Sequence, residues 1–364
     1  MIGLRTMKDI GEGTIRRIDW TELTPVVLLL RIFNVALGLR VLLIALIGLQ
    51  LTVWLNILAG ISFQNPELAD QIHHGDPVFF VSVPFDLLRL GVHDAVNSIR
   101  QNPMLLLWWF PGVALVWIVC GGMICRIVAV RLTIDESESM GSLLLFLRKR
   151  GIGLISSPLL MLIGLLCCFL PVKIAGWMLA VPFLNYVVAI FFPIPFFFAC
   201  LTIILALAGG VGFMLLFAAV STDGSDGFDA ISRMFSYVYQ RPLHYLVYWL
   251  CCGLLGYLGF LLIQFLIVYP AIQLCWSTVP ADFEFAVTFW AGVFYFIPFA
   301  YVFVWFWTSS TAIYLLLRRS VDATPFNEVY RVSPPKVRSL PMIKPDEHGA
   351  PEIVPPPERE QEPE

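Results

Sequence analysis

The side chains best suited to chemistry are few, and they lie apart. His73, His74 and Asp76 sit close together with His93 further along, and imidazole and carboxylate donors of this kind suit a divalent transition metal. A solvated loop accounts for the same residues without an ion. Asp229 precedes Arg233 by four residues, the favourable order for a helix-surface ion pair worth about 0.2–0.5 kcal/mol. Such a pair seats a helix and carries out no reaction. Gln50, Asn56, Thr202 and Gln264 interrupt long apolar runs, where they serve either ligand binding or hydrogen bonding between helices. Cys120, Cys125, Cys167, Cys168, Cys200, Cys251, Cys252 and Cys275 lie in or beside apolar runs without zinc-type spacing to histidine, and read as small packing residues. The sequence contains no GxSxG, no phosphate-binding glycine loop and no HExxH. Nothing here commits the chain to catalysis; no cofactor, no metal and no enzyme activity are expected.

The elements that would position these groups follow from composition. With 59% hydrophobic and 13% charged residues and a mean hydropathy of +0.81, the chain has too little charge to coat a soluble globule of 364 residues. It reads as an all-α, polytopic membrane helix bundle. A helix needs roughly 20 apolar residues to cross about 30 Å of hydrocarbon, and six segments qualify: 41–63, 104–125, 152–170, 196–220, 245–269 and 287–317. The first 22 residues carry Arg5, Lys8, Arg16 and Arg17 without an apolar core, so the first span is expected to act as an uncleaved anchor. Between spans three and four, 174–192 is apolar but interrupted by Pro182 and Asn185 and followed by Pro193 and Pro195. It is expected to be re-entrant or interfacial beneath protein cover, because irregular backbone at membrane depth must be shielded from lipid. Residues 84–100 read as an outer-loop helix, with Phe85, Leu88, Val92, Ala95 and Ile99 on one face.

The polar island Ser221–Leu243 separates two apolar runs and must meet water. Asp226 or Ser225 is placed to cap a helix over 226–241, which Pro242 stops. Phe228, Ile231, Phe235 and Val238 mark its apolar face, and Asp229, Ser232, Arg233, Ser236 and Gln240 its polar one. Asp226, Asp229, Arg233 and Arg241 are the candidate interaction residues. Comparable elbow helices are expected at 138–150, after an acidic run from Asp135, and at 322–330, so each inward-running span is followed by a polar turn and a capped helix. Six crossings put Arg126, Arg131, Arg148, Lys149, Arg150, Arg233, Arg241, Arg318 and Arg319 on one side with the basic N-terminus; Arg89, Arg100 and Lys173 fall on the other. The positive-inside rule then places both termini in the cytoplasm. Residues 1–40 form an N-terminal and interfacial segment, 41–320 the membrane domain, and 321–364 a short helix and a tail too rich in proline and glutamate to fold.

Four segments, LLIALIGLQLTVW, GGMICRIVAVRL, GSDGFDAISRMFSYVYQRPLHYLVY and IYLLLRRSVDATPFNEVY, resemble an uncharacterised family of bacterial multi-pass membrane proteins. The resemblance implies residence in a bacterial inner membrane and brings no activity with it. Two readings of function remain open. One is a non-enzymatic scaffold or assembly protein; the other is a transporter or channel for a neutral or lipidic solute. An intramembrane enzyme would have to recruit His73, His74, Asp76 and His93. The expected partners are the lipid bilayer and other membrane proteins or further copies of this chain, not nucleic acid.

Overall fold

The computed structural model describes residues 27–59, 96–278, 284–331, 342–345 and 351–354. It divides into two units, 1–330 and 331–364. The first is an all-α polytopic membrane bundle with six helices long and apolar enough to cross a bilayer. They pair as three helical hairpins: α2 (Leu39–Leu58) with α3 (Leu105–Thr133), α4 (Met140–Leu179) with α6 (Pro193–Asp223), and α8 (Pro242–Leu262) with α10 (Glu284–Asp322). Each returning helix stops the same way, with a left-handed residue just past its end: Asp135 at φ 55°, Gly224 at φ 65° and Ala323 at φ 54°. A positive φ breaks the helical hydrogen-bond ladder and turns the chain. The returning helices α3, α6 and α10 pack on one another, and α10 also packs on α2, α8 and the short α1 (Val27–Ala36).

The hairpin between α4 and α6 departs most from expectation. The helix expected over 138–150 is not separate: it forms the first turns of α4, whose 40 residues extend about 60 Å. Ser139 caps it, its hydroxyl accepting from the Ser142 N–H at 3.2 Å. No proline or left-handed residue follows Arg150 as Pro242 follows Arg241, so nothing ends the helix there. Residues 174–192 do not cross. They hold the end of α4, a turn with Phe183 at φ 79°, and α5 (Leu184–Ile190). Pro193 starts α6 at a position where its missing N–H costs nothing. Protein cover is partial: Val188 is buried, while Phe183, Tyr186 and Ile190 are each more than 70% exposed. The exposed apolar side chains of this tip match lipid without shielding.

The helix of the central island is α7 (Gly227–Gln240). Its protein-facing residues are Gly227, Ala230, Met234 and Tyr237. Of the expected apolar face, Phe228 stands 77% exposed and Ile231, Phe235 and Val238 are half-buried. Phe228 turns to the apolar surroundings, and Gly227 and Ala230 turn inward so that backbones can touch. A methyl group on Gly227 would come within 2.8 Å of the Ser157 backbone nitrogen, and one on Gly153 within 3.1 Å of the Ser225 carbonyl oxygen. The α4 helix and the α6–α7 corner therefore meet backbone to backbone. Beyond Leu262, α8 widens into a π-helical stretch, Ile263–Val268, and continues as α9 (Tyr269–Thr278).

Residues 96–101 are helical; the rest of the expected outer helix, and the N-terminal segment to Val26, lie outside the described residues. In the second unit, β1 (Met342–Pro345) pairs antiparallel with β2 (Pro351–Val354), with Ile343 opposite Ile353. The rest of the tail from residue 332 lies outside the described residues.

Candidate functional site

Charge gathers where α3, α6 and α10 end. Helix α6 leaves its last four carbonyls without partners inside the helix, as every α-helix does, and the fold supplies partners for three of them. The Gly224 N–H donates to Val220 O at 3.0 Å and the Tyr330 N–H to Thr222 O at 2.7 Å. Arg126 of α3 donates to Ser221 O at 3.1 Å. Asp223 would be unfavourable at this terminus, because the helix dipole is negative there. Three donors reverse that: the guanidinium of Arg318, the hydroxyl of Tyr314, and Arg233 of α7 at 2.7 Å. Arg233 also reaches Asp229 at 3.1 Å.

A second arginine is held equally closely. Arg126, only 2% exposed, bonds Glu138 at 2.7 Å through one amino group and donates to Tyr330 O at 2.7 Å through the other. Glu138 in turn offers its backbone carbonyl to Arg40, at 3.0 Å. The segment after α10 is thereby strapped across the bundle end. Arg318 donates to the carbonyls of Glu328 at 2.6 Å and Pro325 at 3.2 Å. The Tyr330 ring lies against Gly224, where a methyl group would meet it at 2.6 Å, and it faces Arg150 at 4.9 Å from the ring centroid. Tyr237 of α7 donates to Asp322, the last residue of α10. Burial, then the hydrogen bond to Asp322 and its charge, push the Tyr237 phenol well above its ordinary range.

Of the four candidate residues, Asp229 and Arg233 join this network. Arg233 is not on a solvated face as expected; it reaches inward to Asp223, which is only 11% exposed. Asp226 occupies the N-cap position of α7 but makes no capping bond. Its carboxylate pairs with Arg150 at 3.3 Å instead. Arg241 lies exposed at the other end of α7, and its side chain takes no part in these pairs. Asp223, Arg318, Tyr314, Arg126 and Glu138 were not anticipated. A signal was available: Arg318 is the first charged residue after Glu284, and Arg126 lies within a helical period that continues to Thr133.

The intramembrane polar groups serve packing. Asn56 accepts from the Trp109 indole at 2.9 Å and Thr52 from the Trp117 indole at 3.1 Å. Thr202 donates to its own helix at Phe198 O, 2.7 Å away. Gln50 is exposed and Gln264 is buried within the π-helical stretch. The cysteines whose side chains are described are free thiols. His73, His74, Asp76 and His93 lie outside the described residues; among the described ones, no histidine, cysteine and carboxylate group is arranged to hold a metal ion. No protein family, curated protein or solved structure matches the chain. Fold and network therefore define an integral membrane protein, and function must be argued from the network itself.

Proposed function

We propose that this integral membrane protein is a non-enzymatic scaffold. In this reading the bundle holds the chain that follows Tyr330, together with the outward face of α7, ready for other membrane proteins. It sits in a bacterial inner membrane with both termini in the cytoplasm. The observation that carries it is the closure of the network: Arg126 pairs with Glu138, Arg233 with Asp223 and Asp229, and Arg318 with Asp223, while Tyr237 donates to Asp322, all within one chain. A catalytic or transport site keeps polar groups open to its substrate, whereas these groups fasten three spans, α7 and the strap to one another.

The test is proximity crosslinking of the full chain in its own membrane, followed by mass spectrometry. The wild type and an Arg241→Ala control should recover one common set of proteins. A chain ending at Tyr330, or one with Phe228→Ser and Tyr239→Ser, should lose members of it. Identical sets from every variant would overturn the scaffold reading. A second reading, passage of a neutral or lipidic solute, is favoured by one observation: π-helical turns recur at functional sites, and Ile263–Val268 sets buried Gln264 in such a turn. Gln264→Leu tests it, with solute flux in reconstituted vesicles as the readout; flux present in the wild type and lost in the variant would favour transport.

A further inference from the structure

A pocket of about 60 Å³ opens where α1 meets the end of α3, several times the roughly 15 Å³ that one water requires. Its walls are Arg31, Asn34 and Val35 of α1, and Arg131, Leu132 and Asp135 at the α3 terminus. Here the electrostatics differ from the closed network. Arg126 and Arg318 are buried and each holds a carboxylate through hydrogen bonds. Arg31 reaches Asp135 only at 3.7 Å, with the Asp135 side chain 75% exposed, and Arg131 makes no ion pair with a described residue. Two guanidinium groups thus line a concave site in which Asp135 is the one carboxylate among the described lining residues. Guanidinium forks match phosphate oxygens in both geometry and charge.

Position selects the source of that phosphate. Arg131 lies two residues from the end of the Leu107–Thr133 span, the depth at which hydrocarbon gives way to headgroups. Leu30, Leu37 and Leu39 beside the pocket are each more than half exposed, as lipid-facing residues are. We propose that the pocket seats the phosphodiester of an anionic membrane lipid. Arg31 and Arg131 grip the phosphate oxygens, the Asn34 amide donates a further hydrogen bond, and Val35 and Leu132 lie against the first carbons of the lipid. Asp135 is the opposing group: it competes for Arg31 and repels the phosphate.

The experiment uses the full chain in detergent micelles, with lipid retention read by native mass spectrometry and protection of α1 read by hydrogen exchange. Phosphatidylglycerol should be retained over phosphatidylcholine and phosphatidylethanolamine and should protect α1. Arg31→Gln and Arg131→Gln should each weaken retention about fivefold, since a basic residue at an anionic membrane surface is worth about a factor of five. Arg148→Gln, which removes an exposed arginine away from the pocket, should leave retention unchanged. Asp135→Asn should tighten it several-fold; asparagine tolerates the left-handed backbone, so this variant tests the site even where an arginine variant folds poorly. Equal retention of phosphatidylcholine, a preference for phosphatidylethanolamine that Asp135→Asn abolishes, or equal weakening by Arg148→Gln would overturn the assignment. Sodium phosphate alone protecting α1 as fully as phosphatidylglycerol would overturn the lipid as the source.

Discussion

Helices α4 and α10 are nearly equal in length, at 40 and 39 residues, and occupy opposite environments. The spanning part of α10 is 83% buried and that of α4 is 17% buried. The order reverses what holds in water, because α10 is the least apolar of the six spans. In a soluble core, apolar side chains go inside to escape solvent. In lipid the surroundings are as apolar as leucine, so that drive between helices disappears, and hydroxyl and charged groups are the ones that must find partners inside. Thr308, Ser310, Thr311 and Arg318 of α10 are buried for this reason. Thr308 and Thr311 donate to carbonyls of their own helix, Ser310 to Met214 O, and Arg318 to Asp223. Beyond Ser157, α4 offers mainly leucine, isoleucine and phenylalanine, and these face outward.

If polar partnership organises the inside, its loss should cost most at the network. Asp223→Ala leaves the buried Arg318 without its carboxylate, and breaking a buried pair from one side costs about 3–5 kcal/mol. Unfolding of the purified protein in mixed detergent should register that loss, and the added change Arg318→Met should restore part of it. A cost below about 1 kcal/mol would mean that the pair does not hold α6 to α10. Next in size is Tyr237→Phe, which removes a hydrogen bond to a carboxylate worth about 1.5–3 kcal/mol. Its effect depends on pH. Because the folded phenol is raised above its unfolded value near 10, its contribution is complete below that value and is lost as pH rises through the folded one. Wild-type stability should therefore fall on alkaline titration by more than that of Tyr237→Phe. Parallel curves would place the Tyr237 hydroxyl in water.

Much of the architecture was legible because bilayer thickness sets element length: six apolar runs became six spans, and Pro242 separated α7 from α8 as its missing donor requires. Helix ends were not legible. The span read as 104–125 continues as helix to Thr133, since one charge does not stop a helix when a carboxylate elsewhere in the fold receives it. The site divided in the same way. The Asp229–Arg233 pair is local and follows from spacing alone. Arg126, Glu138 and Tyr330 meet only after three hairpins have folded, and no spacing in the sequence records a contact across 204 residues. Which face of α7 meets protein was not legible for a related reason, because hydropathy cannot separate an outward Phe228 in lipid from an inward one in protein.

The smaller tests apply like substitutions to the two environments. Gly227→Ala forces a methyl group against the α4 backbone and should cost about 1–3 kcal/mol, as overpacking does. Gly176→Ala, on exposed α4 with nothing within 4 Å, should instead stabilise by about 0.5–1 kcal/mol through helix propensity. Like signs for the two would erase the contrast between the network end and the tip. Smallest of all is Asp229→Ala. Arg233 keeps Asp223 at 2.7 Å, and the lost partner is a half-exposed neighbour four residues away, so about 0.2–0.5 kcal/mol should go, and less in high salt. Equal costs for Asp229→Ala and Asp223→Ala would make α7 itself, rather than Asp223 of α6, the anchor of Arg233. The small value is expected because water still solvates Asp229, while Asp223 has only the protein.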